Sequence, residues 1–439
     1  MKLHVTLLFA AITLATAVPA LAQVQARSRP ERPYRGLFGG DTGDAEQLLT
    51  LNFFAGVGYD DNLLLEQPTQ GSNDPRQGDG GGFNSFNGQL SYSLDRTRVD
   101  FSAAFATAAR YYPDLERSFI GSHALSLGAG LQLAKQTRFA ASHTSRYQPF
   151  LTFGYFALVP DLSAEGIPPQ QDQSIARSGY FTHLSGVDLT QEVSQRGSLS
   201  FNYRHQLSDA EADDRDFRTQ TVGGRFVHGL AKGLGVRVGY GFNASSYQSA
   251  TRDAIAAHNI DVGIDYNRAL SFSRRTTLSF GTGTSAFVDR NDTLYRLTGN
   301  ASLTREIGRT WSASLAYLRT AGFLESVAAP VFADDVRLTW IGMLNRRLQF
   351  DARAWASVGE FARAGEGSGY DSYASQVTLT YGLTRYLGIN GIYGFYRYSF
   401  DESPLLPGFA REMSRHSVQV QLGLWLPLIQ SGRRPDASR

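Results

Sequence analysis

Apolar and polar residues alternate along many short segments of this chain, and this period of two constrains the fold more than any other feature. The first such segment, residues 49–62, reads LTLNFFAGVGYDDN. Its odd-numbered positions from Leu49 to Tyr59 are apolar, its even-numbered positions are mostly small or polar, and Phe54 is the exception. Alternation of this kind predicts a β-strand with two different faces. The apolar face of such a strand meets either a protein core or lipid.

The composition of the polar face favours lipid as the solvent of the apolar face. Similar strands recur from Leu49 to Leu428, for example at residues 123–133, 199–207 and 418–426. Their polar faces carry Ser, Gly, Asn and Gln, with few of the Lys and Glu residues that a strand facing bulk water would show. Small polar residues suit the inside of a membrane barrel, and apolar residues suit its lipid-facing outside.

The connections predict the topology of this barrel. Tight turns alternate with longer polar loops, two of which we expect at residues 148–178 and 322–334. Short periplasmic turns and longer external loops are typical of outer-membrane barrels. The sequence therefore predicts an all-β, transmembrane, antiparallel up-and-down β-barrel of about 18 strands, with both termini in the periplasm.

The chain ends predict the compartment and the domain boundaries. Residues 1–22 combine Lys2, an apolar run and Ala20-Leu21-Ala22, which is typical of a cleaved secretory signal peptide. We expect a flexible periplasmic tail at 23–48, the barrel at 49–428 and a periplasmic tail at 429–439. No later window resembles a transmembrane helix. The predicted location is the outer membrane of a Gram-negative bacterium.

Charged residues on the polar parity of the strands are candidate pore-lining residues. Arginines at these positions exceed aspartates, and rings of arginine bias a pore toward anions. Ion pairs between neighbouring strands are the alternative interpretation. The candidates are Arg110, Arg138, Arg204, Arg237, Arg296, Arg337, Arg353, Asp261 and Asp265, and Arg146, Arg225, Asp60, Asp100, Asp188 and Asp351 share their parity.

The predicted loop at residues 148–178 is the longest and is rich in aromatic residues. An exposed loop rarely displays so many apolar side chains, so we expect it to pack against another surface. Folding into the lumen would make it a constriction loop, whereas packing on the outer rim or on a partner is the alternative. Its candidate constriction residues are Phe150, Phe153, Tyr155 and Phe156.

The sequence offers no evident catalytic constellation. Its eight histidines are scattered, and His123 and His143 fall on the outward parity of their strands. The chain has no cysteine, so thiolate metal sites and disulfides are absent. We expect neither an enzyme nor a bound cofactor or metal. The formal net charge of +2 does not suggest a nucleic-acid partner.

The opening strand and the strand series together resemble the β-barrel porin 2 family of bacterial outer-membrane proteins. The strand runs into Gly58-Tyr59-Asp60-Asp61-Asn62, which is similar to the start of that family. The resemblance implies a channel that takes part in exopolysaccharide export across the outer membrane, together with periplasmic polysaccharide-export proteins. One departure is that the chain ends in IQSGRRPDASR, whereas many outer-membrane barrels end on an aromatic residue.

Two other functions remain open at this point. One is a passive diffusion porin for small anionic or sugar solutes, and the other is a surface adhesin or scaffold. In each case we expect contact with outer-membrane lipid and lipopolysaccharide, and insertion by the barrel-assembly machinery. Polysaccharide or small solutes are the expected cargo.

Overall fold

A computed structural model describes residues 45–62, 80–113, 119–150, 175–210, 216–247, 255–270, 273–288, 293–324, 327–361, 369–401 and 412–432. All regular structure in these ranges is β-strand. The strands are β1 Gln47–Asp60, β2 Gly81–Asp95, β3 Val99–Tyr111, β4 Phe119–Ala134, β5 Thr137–Phe150, β6 Ile175–Glu192, β7 Gly197–Ala210, β8 Phe217–Ala231, β9 Leu234–Tyr247, β10 Ile255–Leu270, β11 Ser273–Val288, β12 Thr293–Ile307, β13 Trp311–Leu324, β14 Val327–Met343, β15 Leu348–Phe361, β16 Gly369–Gly382, β17 Leu387–Phe400 and β18 Glu412–Ser431.

The strands close into one barrel. Each strand pairs antiparallel with the next along the chain, and β18 pairs with β1, so the 18-stranded sheet has no free edge. The predicted strand number and up-and-down topology are confirmed. Closure gives every strand a hydrogen-bonded neighbour on both sides, which is the condition for a β-structure within a bilayer.

The alternation of the sequence assigns the two faces of the wall. Outward positions carry large apolar side chains that remain exposed, such as Val57 at 60%, Val262 at 62% and Leu297 at 69%. Side chains that alternate with them point into the barrel and are mostly small or polar, apart from buried aromatic residues such as Tyr398 near the loop end. An exposed apolar belt around a closed barrel is stable when the surrounding solvent is lipid.

Short turns close one end of the barrel. The connection between β8 and β9 consists of Lys232 and Gly233, and Gly233 has a φ of 76°. This left-handed conformation favours glycine. A Cβ at this position would also collide with the backbone oxygen of Asn267 on β10. We call this end the turn end and assign it to the periplasm, because periplasmic turns are short in outer-membrane barrels.

Aromatic side chains cluster on the outer wall of β13, β14 and β15 near the turn end. The rings of Trp311 and Trp340 lie 5.6 Å apart, and the ring of Phe350 lies 5.5 Å from that of Trp340. The ring of Trp311 covers Gly342, where a side chain would collide with it. Aromatic rings at headgroup depth form the girdles of membrane barrels.

Two predicted loops were placed wrongly. The residues 148–150 and 175–178 extend β5 and β6, so the predicted loop at 148–178 is too long at both ends. Most of the predicted loop at 322–334 is strand, because β13 continues to Leu324 and β14 begins at Val327. Gly322 and Pro330 are typical of loops but lie within the β13–β14 ladder, where Gly322 pairs with Val331 and Pro330 with Phe323. The described residues contain no helix long and apolar enough to cross a membrane.

Candidate functional site: the inner wall of the barrel

The candidate pore-lining residues alternate with outward apolar residues of their strands; Arg337, for example, lies between the exposed Val336 and Leu338. The contacts of Arg296 are the exception, because Phe332 and Glu360, which it meets, share the outward parity of β14 and β15. The strand pairing then decides which charges meet. Whether these side chains contact a solute stays a prediction.

A buried ionic cluster lies at the end of the barrel opposite the turns. The carboxylate of Asp60 accepts hydrogen bonds from Arg415 Nη2 at 2.6 Å, Tyr112 Oη at 2.8 Å and Arg110 Nη1 at 3.4 Å. Asp60 and Arg415 are almost fully buried. The Arg110 guanidinium also lies 4.4 Å from the ring centroid of Phe83. We call these five residues the Asp60 cluster.

The wall beside the Asp60 cluster is packed rather than open to water. On β17 the inward-facing side chains of Tyr396, Tyr398 and Phe400 are buried, with ring centroids 6.0 Å and 5.5 Å apart in succession. Tyr370 of β16 is also buried and is hydrogen-bonded to Ser357 at 3.1 Å. A packed wall in this sector leaves less room for water and solute at the loop end of the lumen.

A second ionic cluster lies nearer the turn end, on β8 to β10. Arg237 Nε donates to Asp261 Oδ1 at 2.6 Å, and Arg237 also pairs with Asp265. Arg225 Nη2 lies 2.6 Å from the other oxygen of Asp261. Two arginines and two aspartates therefore neutralise one another across three strands.

Arg237 has a structural role in this cluster as well. The ladder between β10 and β11 is interrupted between Ile260 and Tyr266. Arg237 Nη2 donates to the backbone oxygen of Thr282 on β11, opposite this interruption. The guanidinium thus satisfies the carbonyl of Thr282 near the interruption of the ladder. An unpaired carbonyl inside a membrane wall is costly.

Glycines on intervening positions allow ion pairs to lie flat on the wall. Asp100 of β3 and Arg138 of β5 are 2.7 Å apart across β4, where Gly130 faces the Asp100 carboxylate. A side chain at Gly130 would collide with that carboxylate. In the same way Arg204 pairs with Asp188 at 2.9 Å and covers Gly186.

The remaining predicted residues also have partners. Arg353 is bidentate to Asp351 on its own strand, at 3.0 and 2.9 Å. Arg296 Nη2 donates to Glu360 at 2.5 Å and stacks over Phe332. Arg146 and Arg337 also take part in interactions. Pairing across strands, the alternative raised from sequence, describes most of these arginines.

Three residues of the Asp60 cluster, Tyr112, Arg415 and Phe83, were not among the candidates. Arg415 could have been found, because it alternates with outward residues of β18 in the segment SRHSVQVQ. No sequence pattern distinguished Tyr112 and Phe83 as site residues, because aromatic residues are common in strands of any kind.

The constriction residues mostly lie outside the described residues. Phe150 ends β5, although its side chain is not described, and Phe153, Tyr155 and Phe156 fall in the range 151–174. The constriction therefore stays a prediction. Among the described residues, no group of three or more His, Asp or Glu side chains is arranged to hold a metal ion.

No family model matches the chain, and no curated protein matches it in sequence. Solved structures do match. OccK2 (OpdF) from Pseudomonas aeruginosa, solved in complex with glucuronate, has 10% identity and a TM-score of 0.46, with 88% of this chain and 100% of that chain covered. OpdQ from the same organism has 10% identity and a TM-score of 0.43, with 87% and 98% covered.

A third solved structure, OccAB1 from Acinetobacter baumannii, has 11% identity and a TM-score of 0.42, with 89% of this chain and 99% of that chain covered. These similarities are low, so the fold assignment rests on the strand pairing of this chain itself. A closed antiparallel barrel with an exposed apolar belt is the architecture of outer-membrane channel proteins. The protein is an outer-membrane β-barrel, located in the outer membrane of a Gram-negative bacterium.

Proposed function

We propose that this barrel is a passive diffusion channel for small polar solutes, with sugars and small anions as the solute class. Barrels of 16–18 strands are wide enough to leave an aqueous channel, whereas about 8 strands are filled by side chains. The channel is expected to be water-filled and to need no energy source. It is not expected to catalyse a reaction.

The pairing of the inward charges carries this proposal. Asp60, Asp100, Asp188, Asp261, Asp265 and Asp351 each form an ion pair with an arginine. The wall therefore presents closely spaced charges of both signs, without a dedicated site of one sign. Such a wall supports weak, non-saturating contacts with neutral or weakly anionic solutes.

Conductance of purified protein in planar bilayers tests this proposal. We expect stepwise, ohmic conductance in potassium chloride and a reversal potential that shows mild preference for chloride. Swelling of proteoliposomes in sugars of increasing size would give the upper size limit. A protein that inserts and folds but conducts no ions and admits no sugar would contradict the proposal.

Export of an exopolysaccharide is the function that the family resemblance implies, and we propose it only as a second candidate after passive diffusion. No observation on the described residues favours a polymer over small solutes. The same holds for the proposed periplasmic export partners and for a role as adhesin or scaffold. Loss of exopolysaccharide after deletion of the gene, with no defect in uptake of small solutes, would favour export instead.

The predicted constriction within residues 148–178 belongs to this proposal as well. If those residues narrow the channel, deletion of residues 153–170 increases single-channel conductance. Unchanged conductance would place that segment outside the lumen.

A further inference from the structure

The turn end of the barrel carries a basic rim. No aspartate or glutamate occurs in its eight turns, which span residues 96–98, 135–136, 193–196, 232–233, 271–272, 308–310, 344–347 and 383–386. The basic turn residues are all exposed, although the formal net charge of the whole chain is only +2. They are Arg96, Arg98, Lys135, Arg196, Lys232, Arg309, Arg346, Arg347 and Arg385. The chain therefore concentrates positive charge at its turn end.

The basic side chains of this end are densest between β10 and β15. Three are turn residues, in the β12–β13 turn and the neighbouring β14–β15 turn, and two lie on strands, each two residues before the end of β10 or of β12. All five are exposed. We call them the arginine sector, which consists of Arg268, Arg305, Arg309, Arg346 and Arg347.

Two members of the arginine sector lie on the lipid-facing side of the wall. Arg305 shares the outer face of β12 with Leu303 and Ile307, which are both exposed. Arg268 pairs with Leu278 of β11, and Leu278 pairs with Leu303, so Arg268 has the same outward parity. Long guanidinium side chains at the margin of an apolar wall extend towards headgroups and water. These two arginines are therefore presented to the lipid around the barrel.

A tryptophan marks the depth of the arginine sector. Trp311 begins β13, two residues after Arg309, and pairs with Ile307 on the outer face of β12. Strands rise about 3.3 Å per residue and tilt by about 40°, so Arg305 lies roughly 5 Å in height from this tryptophan. Tryptophan rings lie at headgroup level in membrane proteins, and Lys and Arg anchor the same level. The sector therefore lies at the depth where a phospholipid carries its phosphate.

Acidic strand residues at the turn end face the lumen. Glu306 and Glu192 each follow an outward residue, and Asp95 pairs with the inward Asp100. Among the described strand residues, the outward-facing acids all lie in the half of the barrel near the loop end. They are Asp209, Asp334, Glu360, Asp371 and Glu412. Acids thus offset positive charge inside the periplasmic mouth, whereas the lipid side of the turn end keeps its positive charge. This favours a lipid headgroup over a solute in the lumen as the anion that the sector meets.

We propose that the arginine sector binds the phosphate groups of anionic phospholipids, such as cardiolipin, in the inner leaflet of the outer membrane. The planar guanidinium group forms paired hydrogen bonds with phosphate oxygens, and basic sites at a membrane surface bind cardiolipin headgroups. Cardiolipin has two phosphates, so one molecule can bridge the β12–β13 turn and the β14–β15 turn. The turn end is periplasmic, so the inner leaflet supplies this lipid.

Lipid retention in native mass spectrometry tests the proposal. The folded protein is released from nanodiscs that contain phosphatidylcholine and cardiolipin, and the lipids that stay bound are counted. We expect the natural protein to retain cardiolipin in preference to phosphatidylcholine, and to retain less of it as the salt concentration rises. The variant Arg305→Gln/Arg309→Gln/Arg346→Gln/Arg347→Gln is expected to retain cardiolipin at a level lower by about tenfold or more, because each arginine contributes to the attraction.

A variant with the same loss of charge in other turns is the matched control. Arg98→Gln/Lys135→Gln/Arg196→Gln/Lys232→Gln removes basic side chains between β2 and β9 and is expected to retain cardiolipin as the natural protein does. Heat-modifiable migration on gels shows in parallel that each barrel is folded. If the sector variant does not fold, the natural protein still decides, because its equal retention of the two lipids would overturn the proposal. Equal losses of cardiolipin in both variants would also overturn it, since the rim as a whole would then attract the lipid.

Discussion

Phe54 of β1 lies over Gly423 of β18, its backbone neighbour across the seam that closes the barrel. A Cβ added to Gly423 would come within 2.7 Å of Phe54 Cε1. Phe54 was the one apolar residue on the polar parity of the first strand, and the sequence offered no reason for it. The structure supplies the reason, because a glycine opposite leaves space for the ring on the inner wall.

Substitution of Gly423 by valine is therefore expected to destabilise the barrel. The new methyl groups overlap the Phe54 ring, and overpacking of this kind costs about 1–3 kcal/mol in free energy of unfolding. Urea unfolding of protein folded in lipid vesicles measures it. Gly391→Ala is the control, since no atom lies within 4 Å of a Cβ at that position. Equal unfolding midpoints for the two variants would contradict the close contact.

Removal of the Asp60 carboxylate is expected to be much more damaging than removal of an exposed one. Asp60→Ala removes the carboxylate that Arg110 and the buried Arg415 share. The expected loss in free energy of unfolding is about 3 kcal/mol or more, because a buried guanidinium is left without its partner. Asp100→Ala breaks a pair whose side chains are 46% and 43% exposed, and the expected loss is at most about 1 kcal/mol. The comparison uses the same unfolding assay. A smaller loss for Asp60→Ala than for Asp100→Ala would show that the cluster adds no stability.

Charge at the turn end of the lumen is expected to influence ion selectivity. Arg138→Gln leaves Asp100 without its arginine at an exposed position, so the reversal potential in a salt gradient should shift toward cation preference. Screening should reduce the shift at high salt.

The double variant Arg138→Gln/Asp100→Asn is the matched control for this change, because it removes both charges. It is expected to restore the reversal potential of the natural protein. A double variant that behaves like the single variant would mean that the shift comes from a rearranged channel instead of from charge.

Neighbouring residues on opposite faces of β12 should differ in their tolerance of charge. Leu303 faces outward about four residues from the turn end, near the middle of the apolar band. Leu303→Arg is expected to cost about 2–4 kcal/mol in free energy of unfolding, because the charge enters lipid. Folding yield and urea unfolding in vesicles measure this cost.

Ser302→Arg is the control, since the adjacent residue faces the lumen and its arginine reaches water. It is expected to fold with nearly natural stability and to alter conductance. If both variants lose similar stability, the assignment of the two faces of β12 is wrong.

Much of the fold could be predicted, because the relevant pattern is local. Period-two alternation and the spacing of turns depend on neighbours along the chain, and hairpins pair each strand with the next one. The strand number and the parity of residues such as Arg337 followed from this. The limits of the loops did not, because residues 327–334, VAAPVFAD, continue a strand although Pro330 is typical of a turn or loop.

The sequence by itself determined a closed antiparallel barrel, the two faces of its wall and the solvent outside it, since these depend on which side chains alternate. Only the tertiary structure decided which inward charges meet, as in Asp60 with Arg415 and Asp100 with Arg138, and it alone joined His143 to Ser185 on the outer wall. Those contacts depend on lateral register and on closure of β1 against β18. Register is a relation between strands, and it is set by pairing of the whole ladder rather than by the pattern within any one segment.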